Sequence, residues 1–172
     1  MNEAVDCILR EAIPSDAEAI LELLNETAIQ TDFMILGPEG IHLSVEEEMK
    51  QLDLIYDSLN NVVFVASVND KIIGVASINA STEPKVAHIG EVGIVLNENY
   101  WGMGLGSLMM EELLLWAEDT DILSRLELKV QERNSRARYL YEKLGFKLEA
   151  VMERGVKDGE KLLNVCLMSK LI

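Results

Sequence analysis

The segment NENYWGMGLGSLMMEELLLW, residues 97–116, constrains this chain more than any other. A β-branched apolar run ends at Leu96, and glycines occupy the alternate positions 102, 104 and 106. Leu105, Leu108, Met109, Leu113, Trp116 and Ala117 then recur on one side of a helix. A strand, a turn without side chains and a helix start therefore follow one another directly. Glycines let successive backbone N–H groups converge, and the helix N-terminus adds about half a positive charge. A phosphate or pyrophosphate is the natural guest of such a turn. A plain glycine turn capping the helix is the bland alternative, and three alternating glycines behind Trp101 favour the anion site.

Two other phosphate loops fail on spacing. The dinucleotide fingerprint G-x-G-x-x-G meets Ser107 or Met109 at its last position, and no Gly-Lys-Ser/Thr tripeptide is present for a Walker loop. Charge narrows the choice further. Fifteen Lys and Arg against thirty Asp and Glu give a formal charge of -15, which repels nucleic acid and anionic membranes. An anion must then be held locally, by aligned amides. The same charge favours a cationic acceptor over an anionic one.

The 172 residues fit one domain, 1–172, with an apolar fraction of 49 % and no low-complexity tract. Cys7 and Cys166 are far apart and His42 and His88 are the two histidines, too sparse a set for a zinc site, so no metal is expected. Neither a signal-like start nor a membrane-length apolar run is present, which predicts a cytoplasmic protein without a membrane partner.

Periodicity predicts the rest. Val5 to Arg10 reads as a strand. Ser15 and Glu18 have capping-box spacing ahead of a helix with the stripe Ala17, Ile20, Leu21, Leu24 and Ala28. Ser44 and Glu47 cap a second helix with the stripe Val45, Met49, Leu52, Ile55, Tyr56 and Leu59. Between them, Phe33, Met34, Ile35 and Leu36 either line a mouth or cover the core. Three strands follow, NVVFVASV, KIIGVASINA after Asn69 and Asp70, and Val86 to Leu96, as an antiparallel meander. After the glycine loop and its helix come a strand Arg125 to Val130 and a helix capped by Asn134 and Ser135 and stopped at Gly145. Two closing strands turn through Lys157, Asp158 and Gly159. The order is βααβββαβαββ, an α/β (α+β) chain.

At this point the residues resemble the GNAT N-acetyltransferase superfamily. Trp101 to Gly106 occupies the frame of its Q/R-x-x-G-x-G/A pyrophosphate loop, in the YWGxGxG form of members resembling the ribosomal-protein and spermidine acetyltransferases. NSRARYLYEKLGF, with Asn134, Ala137, Leu140, Tyr141, Gly145 and Phe146, is similar to the family segment N-x-x-A-x-x-x-Y-x-x-x-G-F. The resemblance implies a mixed, mostly antiparallel sheet splayed open between the strand ending at Leu96 and the strand Arg125 to Val130. It implies acetyl-CoA in the splay as cosubstrate, a primary amine of a small molecule or a peptide N-terminus as acceptor, direct transfer in a ternary complex, and a homodimer as in many relatives.

Carried over residue by residue, the resemblance gives cofactor contacts to Trp101, Gly102, Met103, Gly104, Leu105, Gly106 and Ser107 through their amides. Ile94, Val95 and Leu96 would pair by backbone with the pantetheine arm, and Asn134 would contact the cofactor besides capping its helix. Tyr141 is the expected acid for the departing thiolate, against the alternative of a core aromatic. Glu91, sharing a strand face with Gly93 and Val95, is the expected base. Lys129, where relatives sometimes keep a base, is a poor one when charged. A non-catalytic acyl-CoA sensor is the rival reading.

Overall fold

The computed structural model describes residues 6–34 and 39–172. Val5, Ile35 and Leu36 lie outside the described residues. Strand β1 (Cys7–Glu11) leads through a 3-10 turn (Pro14–Asp16) into α1 (Ala17–Gln30) and α2 (Val45–Tyr56). The meander β2 (Val62–Val68), β3 (Lys71–Ala80) and β4 (Ile89–Leu96) follows, then α3 (Leu105–Asp119), β5 (Arg125–Gln131) and α4 (Ser135–Lys143). The hairpin β6 (Lys147–Asp158) and β7 (Lys161–Leu171) closes the chain. The expected order of strands and helices is the observed one.

Strand alternation gives the sheet two apolar faces and thereby a helix layer on each. Val65, Ile72 and half-buried Val75 meet Ile20, Leu23 and Leu52 of α1 and α2. On the other face Phe64, Ile73, Ile78, Leu126 and Met168 bury Met109, Met110 and Leu113 of α3 and Tyr141 of α4. Each such aliphatic side chain contributes about 1.5–3 kcal/mol on burial. The type I′-like turn at Asn69 and Asp70, with φ of 50° and 61°, joins β2 to β3 as expected.

The seven strands run in the order β1-β2-β3-β4-β5-β7-β6. All neighbours are antiparallel except β4 and β5, whose parallel pairing joins Ile89 to Arg125, Gly90 to Leu126 and Glu91 to Glu127. Beyond Glu91 the two strands part, while β4 stays paired to β3 up to Leu96. Gly90 sits at the pinch: a Cβ there would stand 2.7 Å from Ile78 Cγ2 and 3.0 Å from Leu126 Cδ2. The sheet is therefore splayed where the resemblance implied.

Several details differ from the sequence reading. Helix α1 starts at Ala17 without a Ser15–Glu18 box, and its N-cap Asp16 makes no side-chain cap bond either; the Asp16 carboxylate turns back to the residues before the 3-10 turn. It accepts the Ile13 N–H at 2.8 Å and the two Arg10 guanidinium nitrogens at 2.7 and 2.9 Å. On α1, Leu23 and Thr27 are buried while Leu24 is half-buried. The Ser44–Glu47 box of α2 forms, but within α2 the one buried residue is Leu52, and Met49, Tyr56 and Leu59 remain exposed. Helix α2 rides on the rim of the α1 layer and buries a line rather than a stripe. In α3 Leu108 is exposed and Met110 and Leu114 are buried. Apolar residues surround that helix, so periodicity alone does not fix its face. Strand β4 starts at Ile89 rather than Val86, after turns closed by Val86 N–H to Glu83 O and Ile89 N–H to Val86 O.

Asp16 is buried, and the Arg10 hydrogen bonds, aided by the Ile13 amide and opposed by burial, hold its carboxyl below the usual range. Asp16→Asn is expected to lower Tm at pH 7 by roughly 4–8 °C, from about 2 kcal/mol for a charge-assisted network at this chain size. A depressed folded pKa stabilises above the unfolded value of about 3.9, and the stabilisation is lost as pH falls through the folded value. Melting curves of the two proteins should therefore converge as pH falls through the depressed folded value, and curves that stay parallel into acid would contradict the assignment.

Candidate active site

The parting of β4 and β5 opens a cleft of ≈ 560 Å³ through the sheet. Val92 to Leu96 form one wall and Lys129 and Val130 the other. The turn from Tyr100 to Ser107 and one side of α4 line the cleft on the α3 face, and Thr27, Thr31, Phe33 and Met34 line it on the α1 face. Of the two readings of Phe33 and Met34, a mouth lining and a cover over the core, the structure places both side chains in the lining of the cleft.

On the α3 side of the cleft the chain is built as an anion cradle. Gly102 and Gly104 have φ of 76° and 81°, a region that costs an L-residue roughly 1 kcal/mol or more. Gly104 is the N-cap of α3 with no side-chain cap, and the first helical bond runs from Leu108 N–H to Gly104 O at 3.1 Å. The amides of Leu105, Gly106 and Ser107 thus precede the helical ladder and need outside acceptors. A Cβ at Gly104 would meet nothing within 4 Å, so the space above those amides is open. Trp101 works by its side chain. Its N–H is spent on Glu98 O, while its indole Nε1 donates to Leu96 O at 2.8 Å and ties the turn to the end of β4. That bond occupies the Leu96 carbonyl, and because the Val95 backbone is turned to Val75 of β3, the free-edged groups of the strand are those of Val92 and Ile94, and the expected pairing of Val95 with a pantetheine arm is not available. Met103 is exposed and stands outside the lining.

The guanidinium of Arg136 lies 5.3 Å from the Trp101 ring centroid, and its Nη2 lies 3.8 Å from where a Gly102 Cβ would be. Sequence reasoning missed it because a helix arginine reads as surface charge. The available signal was its place in the first turn of α4, where a cation opposes the helix dipole and calls for another reason to be there. Asn134 caps that helix, its Oδ1 accepting the Ala137 N–H at 3.2 Å, and also lines the cleft.

Tyr141 is buried behind the cleft, edge-to-face with Phe146 at 6.1 Å between centroids. Burial pushes its phenol up to about 12, so it stays protonated at every ordinary pH. Glu91 lies on the α1 face of β4, opposite core-facing Val92. Its carboxylate stands 3.8 Å from Lys129 Nζ, and it borders rather than lines the cleft. Among the described residues the charged side chains of the lining are Lys129, Arg136 and Lys143, with no carboxylate. An acidic chain thus keeps its cleft cationic, and the cationic acceptor inferred from net charge finds no anionic partner there.

The description "Acetyltransferase (GNAT) family" fits residues 19–146. The L-amino acid N-acetyltransferase of Escherichia coli strain K12 is 22 % identical over 156 residues, 90 % of this chain and 92 % of that one. A GNAT-family acetyltransferase structure from Streptococcus pneumoniae superposes with a TM-score of 0.95 at 42 % identity, over 97 % of this chain and all of that chain (100 %). A putative acetyltransferase from Salmonella typhimurium, solved with its cofactor acetyl-CoA, superposes with a TM-score of 0.83 at 19 % identity, over 96 % and 93 % of the two chains.

Removing the Arg136 guanidinium should weaken an anion in the cradle without disturbing the fold. Calorimetric titration of CoA into Arg136→Gln is expected to show affinity about five- to tenfold lower, the scale of one charge-assisted contact. Unchanged affinity would separate Arg136 from the cradle.

Proposed function

The chain belongs to the acetyltransferase (GNAT) family, and from that premise we propose that it passes the acetyl group directly to a small primary amine held at the α1 side of the splay. Its activity is acetyl-CoA-dependent N-acetylation. The observation that carries the assignment of roles is the through-sheet cleft, with a bare helix start and Tyr141 at one end and the α1 terminus at the other.

The residues present fit the cosubstrate. The unpaired amides of Leu105, Gly106 and Ser107, with Arg136 beside them, suit its pyrophosphate, and the β4 edge at Val92 and Ile94 suits the amides of its pantetheine arm. When bound, acetyl-CoA supplies an acetyl thioester. The Ile94 N–H, on the unpaired edge of β4, would face the oxygen on which charge develops and lower the barrier as an oxyanion hole does. Asn134 borders the same arm. The buried Tyr141 Oη, protonated at working pH, gives its proton to the leaving sulfur. On the opposite face Glu91 receives the proton of the acceptor ammonium through water, with Lys129 between it and the cleft. Cys7 and Cys166 are absent from the lining, in keeping with direct transfer.

Lys129 on the acceptor face favours an amine that also bears a carboxylate, the chemistry named for the Escherichia coli relative. A free amino acid or the end of a short peptide has both groups. Thiol release measured across free amino acids, short peptides and polyamines should be saturable with the first two. Release with polyamines alone would overturn the acceptor class, and CoA binding without release from any amine would favour a sensor.

Tyr141→Phe keeps the ring packed on Phe146 and should lower kcat roughly a hundredfold while the affinity for acetyl-CoA stays unchanged. Glu91→Gln should lose rate mainly below the pKa of the amine and recover as free amine accumulates at higher pH. Full turnover in the first variant removes the acid role, and a uniform loss at every pH in the second removes the base role.

A further inference from the structure

The open end of the splay is not free. The last turn of α1 crosses it and is fastened on both sides. Towards β4, Glu26 Oε2 accepts from Asn97 Nδ2 at 3.3 Å, and Gln30 Oε1 accepts the Glu98 N–H at 3.1 Å. Towards β5, Gln131 Nε2 donates to the Asp32 carbonyl at 2.9 Å, and Arg133 Nη2 reaches the same oxygen at 3.4 Å. The Arg133 guanidinium also stands 5.3 Å from the Phe33 ring centroid and pairs with Asp158, the last residue of β6, at 3.1 Å. Gln131 Oε1 accepts from Arg133 Nε at 2.8 Å, so the two side chains form one unit.

This crossbar matters because β4 and β5 are paired at Ile89 to Glu91 and apart beyond it. Two strands hinged at one end keep a fixed gap when something spans the other end. The residues the crossbar presents to the gap, Thr27, Thr31 and Phe33, line the acceptor side of the cleft. Gln131 is well placed to hold it, being only 5 % exposed, with an amide that serves Asp32 through the nitrogen and Arg133 through the oxygen. A glutamate of the same shape would set an acceptor against the Asp32 carbonyl and lose the bond.

We propose that Gln131, held by Arg133, is a positioning residue that pins the end of α1 across the splay and thereby sets the width of the acceptor port, leaving the cosubstrate end untouched. The kinetic part rests on the acetyl-transfer reading above, whereas the pinning does not. The Asp32 carbonyl lies on the acceptor face and the glycine turn on the other, so loosening the first should be felt by one substrate.

The test is Gln131→Glu beside the parent and beside Asp16→Asn, a variant weakened at the opposite end of α1. Hydrogen exchange is followed on peptides covering residues 27–34, and steady-state rates are measured with acetyl-CoA and an amino acid acceptor. Faster exchange in that segment is expected, with amine KM raised about tenfold, the scale of one lost hydrogen bond plus repulsion. The KM for acetyl-CoA should stay within about twofold, and Asp16→Asn should move neither KM. Unchanged exchange across residues 27–34 overturns the pinning even if no amine is turned over. Faster exchange with amine and acetyl-CoA KM moving together, or neither moving in an active enzyme, overturns the control of the port. An inactive parent that binds acetyl-CoA overturns the transferase reading, and exchange alone then decides the pinning.

Discussion

Strand β4 bonds to β5 at Ile89, Gly90 and Glu91 and then leaves it, and every functional feature of the molecule depends on that parting. A parallel pair continued to Leu96 would satisfy its own backbone and close the sheet. Parted, each strand keeps a partner on its far side, β3 for β4 and β7 for β5. The unpaired edges face a shared gap and need polar groups from elsewhere. Gly90 at the pinch lets Ile78 and Leu126 close over the backbone, and the apolar core on both sides fixes the hinge. The gap is thus an edge-strand liability turned inward, where a ligand with amide groups of its own can take up the pairing.

Electrostatics follow the same geometry. A chain of charge -15 would repel a polyanionic ligand at long range, and local chemistry reverses the sign. Three glycine-turn amides, the N-terminal dipole of α3 and Arg136 converge at one end, and Lys129 stands at the other. Distant carboxylates are screened beyond a Debye length of about 8 Å at physiological ionic strength, whereas amides in contact act at hydrogen-bond distance. Net charge therefore describes encounter and solubility, and gives poor guidance to what the cleft holds.

Much of this was legible in the sequence, for identifiable reasons. The glycine turn could be read because positive φ at Gly102 and Gly104 excludes most side chains, and the Asn134 cap because asparagine satisfies a helix start in few other ways. The element order followed from periods of 3.6 and 2. What stayed hidden was long-range. Nothing in the apolar alternation of IGEVGIVL distinguishes a strand paired on both edges from one paired on one. Arg136 has the composition of a solvated helix face until the turn it approaches is in place. The Ser15–Glu18 box matched a pattern, yet the chain enters α1 through a 3-10 turn and the Asp16 carboxylate turns back to Ile13 and Arg10, so no side chain caps the helix start. Trp101 occupied its expected frame, but its amide was committed to Glu98.

The division of the cleft by the sheet itself has a mechanistic consequence. Because Val92, Ile94 and Leu96 face the α3 core while Glu91, Gly93 and Val95 face α1, the proposed acid and base approach the reacting centre from opposite faces. Tyr141, the proposed acid, is buried against Phe146, and its phenol keeps its proton up to about pH 12, the state a donor to a leaving thiolate would need. Glu91 is half-exposed and paired to Lys129, an environment suited to passing protons to solvent. Transfer through a sheet separates the two proton movements in space, so each group can be tuned by its own surroundings, one by burial and the other by an ion pair and water.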